Sequence, residues 1–173
     1  MDRPLLIDLP NPTRMSNTVL IQAIHEAADF VCARALFREY AASLDIDLCF
    51  QNFERELDSL EQQYAPPQGA LFLARVGTEA VGCAAVRRFE EGVAELKRMY
   101  VQPAFRGQGI SRQLLDTALD TARHLGYRQI RLDSLPSMQT AIALYRSAGF
   151  TEIPAYRSNP VAGTVYLEKN LVF

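Results

Sequence analysis

VQPAFRGQGISRQLL, residues 101–115, is the most informative segment of this chain of 173 residues, because a tight turn with two glycines runs directly into an amphipathic helix. The first turn of a helix carries backbone N–H groups without intrahelical partners, at the positive end of the helix dipole. Glycine lets the backbone bend sharply and lets a ligand approach closely. The segment therefore predicts a binding site for an anion such as a phosphate, with a plain tight turn before a helix as the alternative.

The helix that follows the turn is predicted from its apolar face, and Gly126 stands just past its end, where a left-handed cap is expected. A strand is predicted over 127–135, and a second helix begins with Ser137 as its N-cap and closes at Gly149. The strand–helix–strand unit over about 93–134 predicts a parallel crossover.

The remaining patterns complete one mixed α/β (α+β) domain. Hydrophobic periodicity predicts further strands at 18–24, 70–76, 80–89, 93–101 and 164–172, and helices at 26–43 and 50–63. The sheet would have six or seven strands and about four flanking helices. Residues 1–17, with three prolines, are predicted to form an N-terminal arm, so the domain would cover 18–173.

The strand at 93–101 carries a defect in its alternation. Ala94 and Leu96 are apolar at even positions, whereas Met99 and Val101 are apolar at odd positions. A β-bulge would shift the phase by one residue in this way. A central strand buried on both faces, which needs no alternation, is the other interpretation.

Composition excludes several classes of function. The net charge of −2 offers no general attraction for nucleic acid or an acidic membrane, and no apolar run is long enough to span a bilayer. Cys32, Cys49 and Cys83 form no CxxC pair, and the chain has only two histidines, so neither a disulfide framework nor a metal site is expected. A reduced, cytoplasmic protein without bound metal is the expectation.

The turn differs from two common phosphate loops. A Walker loop needs Gly-Lys-Ser/Thr, but Gly109 is followed by Ile110 and Ser111. A Rossmann loop needs a third glycine, which is missing here.

Two motifs together resemble the GCN5-related N-acetyltransferase (GNAT) family. LKRMYVQPAFRGQGISRQLL is similar to the family's acetyl-CoA-binding pattern Arg/Gln-x-x-Gly-x-Gly/Ala, and AIALYRSAGF (141–150) is similar to its second signature, a helix bearing a tyrosine and ended by Gly-Phe. Ser111 stands where the pattern has its final Gly/Ala, and Met138 stands where the family often has asparagine.

The resemblance implies acetyl-CoA as co-substrate and a bulged strand that splays two parallel strands. The pantetheine arm would pair with freed backbone along Met99, Tyr100 and Val101. The diphosphate of coenzyme A would lie on the turn and the first helical residues: Arg106, Gly107, Gln108, Gly109, Ile110, Ser111 and Arg112.

The implied reaction is direct attack of an amine on the acetyl thioester. Tyr145 stands where the family has its catalytic tyrosine and is the candidate acid, with a core tyrosine as the alternative. Glu95 is the candidate base, with a salt-bridged strand carboxylate as the alternative. Asp133 and Glu168 are lesser candidates for the base, and a water chain could replace all three.

The acceptor is predicted to be a primary amine of a small molecule or a peptide. The segment between 44 and 69 usually shapes the acceptor site in this family, and its acids would form a rim suited to a cationic amine, or simply the polar face of a helix. A non-catalytic acyl-CoA-binding or regulatory module is the rival function. Pairing as a homodimer is a further expectation.

Overall fold

The computed structural model describes residues 18–44 and 52–171. They form a seven-stranded sheet in the order β1-β2-β3-β4-β5-β7-β6. The strands are β1 (Val19–Ala23), β2 (Ala70–Val76), β3 (Glu79–Glu90), β4 (Val93–Val101), β5 (Gln129–Ser134), β6 (Thr151–Glu152) and β7 (Val165–Asn170). The helices are α1 (Ala27–Ala42), α2 (Phe53–Asp58), α3 (Leu60–Gln63), α4 (Ile110–His124) and α5 (Gln139–Ser147). The mixed α/β class predicted from the sequence is confirmed.

One pair of neighbouring strands, at the centre of the sheet, is parallel. Strands β1 to β4 pair antiparallel, β4 pairs parallel with β5, and β7 pairs antiparallel with both β5 and β6. Helix α4 connects the two parallel strands, as the strand–helix–strand pattern predicts. The centre of the sheet is therefore the place where two antiparallel halves meet.

Each face of the sheet is covered by its own apolar cluster. The cluster under α4 and α5 includes Phe72, Leu114 and Ile130. The cluster on the opposite face, under α1, α2 and α3, includes Phe37 and Leu60. Burying both faces explains why the central strands carry near-continuous apolar residues rather than a clean alternation.

Strand β4 satisfies both interpretations of its irregular pattern. Arg98 has a positive φ of 54°, and the register against β3 shifts between Cys83 and Ala85, so the strand carries a bulge. Of its nine residues, all except Met99 are buried. The bulge and the two-sided burial thus occur together.

The segment after α1 differs from its prediction. One helix was expected over 50–63, but the described part contains α2 and α3, separated at Ser59. The Ser59 hydroxyl donates to the Arg55 carbonyl at 2.6 Å, and the backbone at Ser59 leaves the helical region with a φ of −126°. Serine competes with the helix in this way by bonding to nearby backbone.

The start of α5 also differs from its prediction. Its N-cap is Met138 rather than Ser137, and Met138 makes no side-chain capping bond. The predicted arm at 1–17 and Cys49 lie outside the described residues.

Candidate active site

The glycine turn has the backbone conformation that its sequence predicts. Gly107 and Gly109 have φ values of +75° and +77°, and Gly109 is the N-cap of α4. A Cβ atom at either position would meet nothing within 4 Å. Glycine is therefore required here for its left-handed backbone and not for space.

Arg106 ties the turn to the end of β4. Its Nε donates to the Val101 carbonyl at 3.0 Å, and its guanidinium lies 5.8 Å from the centre of the Tyr100 ring. The turn and the first residues of α4 are thereby held beside the end of the bulged strand. The helix has no acidic residue in its first turn, which leaves the positive end of the dipole unopposed there.

A cleft opens between β4 and β5. The two strands pair over only three positions, from Val93–Gln129 to Glu95–Arg131, and diverge beyond them. About 570 Å³ of space lies between its walls, part of it open to solvent. Its walls include residues from β4, β5, α1 and α5, among them Lys97, Met99, Asp133, Ser134, Tyr40, Met138 and Tyr145.

The side chain of Tyr145 lies in the wall of this cleft. Its ring is buried and lies 5.8 Å from the Phe150 ring, at 60° to it. Within the described ranges its hydroxyl makes no hydrogen bond, so the folded chain leaves that group unused. Burial raises the pKa of Tyr145, with Tyr40 and Asp133 adding to the effect, so the phenol keeps its proton at neutral pH.

Two polar groups that the sequence analysis did not single out also line the cleft. The Ser134 hydroxyl is buried and has no hydrogen-bond partner in the part of the chain that the structure describes. The Tyr40 hydroxyl donates to Met138 Sδ at 3.9 Å, and burial raises the pKa of Tyr40 to about 12. Tyr40 belongs to the helix predicted at 26–43, and no sequence signal separates a cleft position from a core position on its apolar face.

Glu95 is fully buried beside the cleft and is surrounded by donors. One carboxylate oxygen accepts bonds from Arg87 at 2.8 and 3.0 Å, and the other accepts bonds from Arg157 and, at 3.1 Å, from Tyr156. Burial opposes ionisation, but the charges of Lys97, Arg157 and Arg87 outweigh it and lower the pKa of Glu95. A carboxylate held in this way is a weak proton acceptor.

The lesser candidates are placed differently from each other. Asp133 lines the cleft and accepts a bond from Asn159 at 3.2 Å. Glu168 lies on β7, where it pairs with Arg131 at 2.7 Å, and is not part of the cleft wall. Lys97 is not a surface charge: its side chain is buried in the cleft wall, and burial lowers its pKa to about 8.

Comparison with known proteins decides the family. The model of the Acetyltransferase (GNAT) family matches residues 34–150. The chain belongs to this family. An uncharacterized N-acetyltransferase of Schizosaccharomyces pombe is 35% identical over 154 residues, which cover 87% of this chain and 94% of that protein.

Two solved GNAT-fold structures show the same architecture. A GNAT-family acetyltransferase of Staphylococcus aureus has a TM-score of 0.76 at 20% identity and covers 90% of this chain and 100% of that chain. The PaiA N-acetyltransferase of Thermoplasma acidophilum, solved in complex with coenzyme A, has a TM-score of 0.69 at 17% identity and covers 88% and 99%. The present chain is accordingly an acyl-CoA-dependent N-acetyltransferase.

The polar groups in and beside the cleft of this GNAT acetyltransferase are suited to coenzyme A. The diverging strands, the glycine turn beside β4 and the unsatisfied Ser134 hydroxyl provide polar groups for an extended, polar ligand. A buried hydroxyl without a partner is costly, and a ligand that bonds to it removes that penalty. Among the described residues, no helix is long and apolar enough to cross a membrane.

Proposed function

We propose that this enzyme transfers the acetyl group of acetyl-CoA to a primary amine by direct attack of the amine on the thioester. The observation that carries the proposal is the Tyr145 hydroxyl, which lies in the cleft wall, keeps its proton and bonds to no described residue. A core tyrosine would be expected to satisfy its hydroxyl within the fold. Tyr145 is therefore available as an acid.

The donor site is proposed to lie along β4 and the start of α4. Backbone groups of Met99, Tyr100 and Val101 would hold the pantetheine arm where β4 has left β5. The amides from Gly107 to Arg112, with Arg106 beside them, would hold the diphosphate. Hydrogen bonds to a charged group contribute about 1.5–3 kcal/mol each, so several amides provide useful affinity without a lysine.

The chemistry divides between donor and protein. Acetyl-CoA supplies a thioester carbonyl, at which an unprotonated amine forms the new C–N bond while the C–S bond breaks. Tyr145 gives its proton to the departing sulfur, and the attacking nitrogen loses a proton to a base or to water. Backbone N–H groups of the bulged strand would stabilise the negative charge that develops on the carbonyl oxygen.

The assignment of Glu95 as the base stays a prediction. Its four hydrogen bonds and lowered pKa favour another task, which is to hold Arg87 and Arg157 in place. A water chain that leads out of the cleft is the remaining route for the proton. Substitution of Glu95 by Gln separates these routes only if the variant stays folded, so its melting temperature must be measured with its rate.

The first test is the melting temperature with and without saturating acetyl-CoA. A ligand at one hundred times its Kd adds about 2.7 kcal/mol of stability, which corresponds to a rise of about 5–10 °C for a domain of this size. Gly109→Ala should abolish much of the rise. Gly77→Ala is the matched control, because Gly77 also has a positive φ (+60°) with open space around it, but lies in the β2–β3 turn.

The outcomes separate the two candidate functions. A rise in melting temperature together with release of thiol from acetyl-CoA on addition of amines supports the transferase. A rise without turnover of any amine would instead favour a non-catalytic acyl-CoA-binding module. No rise at millimolar acetyl-CoA would contradict both.

A further inference from the structure

A second groove lies on the face of the sheet that α1, α2 and α3 cover. It is formed by the connection between α3 and β2, which includes Pro66 and Pro67, by the end of β3, and by Arg157 from the β6–β7 connection. It encloses about 920 Å³ of space and is open to solvent. None of the described residues that line it is acidic.

Two arginines dominate the chemistry of this groove. The side chains of Arg87 and Arg157 are 27% and 20% exposed, so both reach solvent. Arg88 also borders the groove, but successive residues of a strand point to opposite faces, so its side chain is directed away from that of Arg87. Arg87 and Arg157 are thus the cations that a ligand in the groove would meet.

Glu95 holds both guanidinium groups without neutralising them. Each of its oxygens is shared with one arginine, and the carboxylate itself is buried beneath them. Arg87 also donates to Gln63 at 3.1 Å. A guanidinium has five N–H donors in a rigid fork that matches carboxylate and phosphate, and donors remain on both residues.

Arg157 connects the groove to the cleft. One of its Nη atoms bonds to Glu95, and the other lies 4.0 Å from Asp133, which lines the cleft. Lys97, two residues after Glu95 on the same face of β4, also lines the cleft. Among the described residues, the carboxylates that pair with Arg87 and Arg157 are those of Glu95, which the two arginines share, and of Asp133.

We infer that the groove binds an anionic group, a carboxylate or a phosphate, carried by the acceptor amine. This inference rests on the proposed function and names the class of its acceptor. The acidic rim suggested for 44–69 would instead suit a cationic amine; of the acids in that segment, Glu56 is buried and pairs with Arg98, so it is not part of such a rim. The anion would bond to the free donors of Arg87 and Arg157 while the amine extends into the cleft.

The test compares matched amines on the complex of the protein with coenzyme A. In the carboxylate arm, γ-aminobutyrate is compared with butylamine, and glycylglycine is compared with its amide. In the phosphate arm, phosphoethanolamine is compared with ethanolamine. Calorimetry should show at least tenfold tighter binding of the acidic member in one arm, and that arm identifies the anion. Equal binding within every pair, or no binding of any acidic member, would overturn the inference.

Variants of Arg87 and Arg157 test whether these residues cause the preference for acidic amines. Arg157→Gln and, separately, Arg87→Gln should weaken binding of the acidic member about 10- to 100-fold more than they weaken binding of the neutral member. Arg157→Lys, which keeps the charge and loses the fork, should lie in between. Arg123→Gln, on the exposed side of α4, is the control and should leave the preference intact.

The rise in melting temperature with acetyl-CoA distinguishes failure of the proposed function from failure of the proposed acceptor class. A normal rise in wild type and variants, with no preference for acidic amines, contradicts the acceptor class alone. Absence of the rise in wild type contradicts the proposed function, and the inference falls with it.

Discussion

Tyr145 combines burial with a hydroxyl that the fold does not use. Replacing it with phenylalanine removes no described hydrogen bond, so the free energy of unfolding should change by less than about 0.5 kcal/mol. If the phenol protonates the leaving sulfur, kcat should fall by roughly a factor of 100 or more, with the KM for acetyl-CoA unchanged. Steady-state thiol release and chemical denaturation measure the two quantities.

Tyr127→Phe is the matched control for that variant. The Tyr127 hydroxyl donates to the Gln68 carbonyl at 2.7 Å, and its loss should lower stability by about 1 kcal/mol without a change in kcat. A Tyr145→Phe enzyme that keeps full activity would remove Tyr145 from the chemistry.

Lys97 makes stability depend on pH in alkaline solution. Its pKa falls from 10.5 in the unfolded chain to about 8 in the folded protein, so the folded state binds fewer protons between these values. The contribution of Lys97 to the free energy of unfolding should therefore rise by about 3 kcal/mol as the pH increases through this window. Lys97→Met lacks this contribution. The amount by which the free energy of unfolding of Lys97→Met exceeds that of the wild type should therefore shrink by about 3 kcal/mol between pH 8 and pH 10.5.

Urea denaturation of both proteins at several pH values measures this difference. A stability difference between Lys97→Met and the wild type that stays constant from pH 7 to pH 10.5 would contradict the assignment of a buried, charged ammonium.

At the scale of elements, helix α2 holds the bulge of β4. Arg98 adopts a left-handed backbone, which is unfavourable for a residue with a Cβ, and its guanidinium forms two bonds to Glu56 at 2.6 and 3.1 Å. Tyr64 donates to the same carboxylate at 2.5 Å, and the Phe53 ring lies 5.1 Å from the guanidinium. This buried pair fixes the residue at which β4 changes phase.

Glu56→Gln should destabilise the protein by about 3 kcal/mol, because it leaves the buried Arg98 charge without its counter-charge. Since the bulge then loses its anchor, the affinity for acetyl-CoA should also fall. Glu54→Gln, an exposed position on the same helix, is the control and should change stability by less than about 0.5 kcal/mol. Urea denaturation tests the first effect, and equal stability of the two variants would contradict it.

At the scale of the whole molecule, the two halves of the sheet are joined by three residue pairs between β4 and β5. Acetyl-CoA in the cleft would bridge the remaining length of both strands. Hydrogen exchange followed by mass spectrometry should therefore slow in peptides that cover Leu96–Val101 and Leu132–Ser134. Every residue of β1 pairs with β2, and peptides that cover β1 should be unaffected. Uniform slowing across the sheet would contradict a ligand held in the cleft.

The sequence predicts those parts of the molecule that depend on neighbours in the chain. The glycine turn and the phase shift between Leu96 and Met99 are local, and both appear in the structure where the pattern places them. The ion pair of Arg98 with Glu56 joins residues 42 positions apart, and that of Arg157 with Glu95 joins residues 62 apart. The neighbouring sequence does not predict such pairs, because a charged residue has the same sequence pattern around it whether its partner is another residue or water.

The early separation of β4 from β5 also bears on how such an enzyme can diversify. Past Glu95 the edge of β4 that faces β5 presents main-chain groups, and every residue type except proline carries the same ones. Mutations there can alter both faces of the strand while the row of amides and carbonyls persists. In the acceptor site that we propose, the choice of amine depends instead on the side chains of Arg87 and Arg157. Selection can therefore exchange one acceptor for another while the donor stays the same.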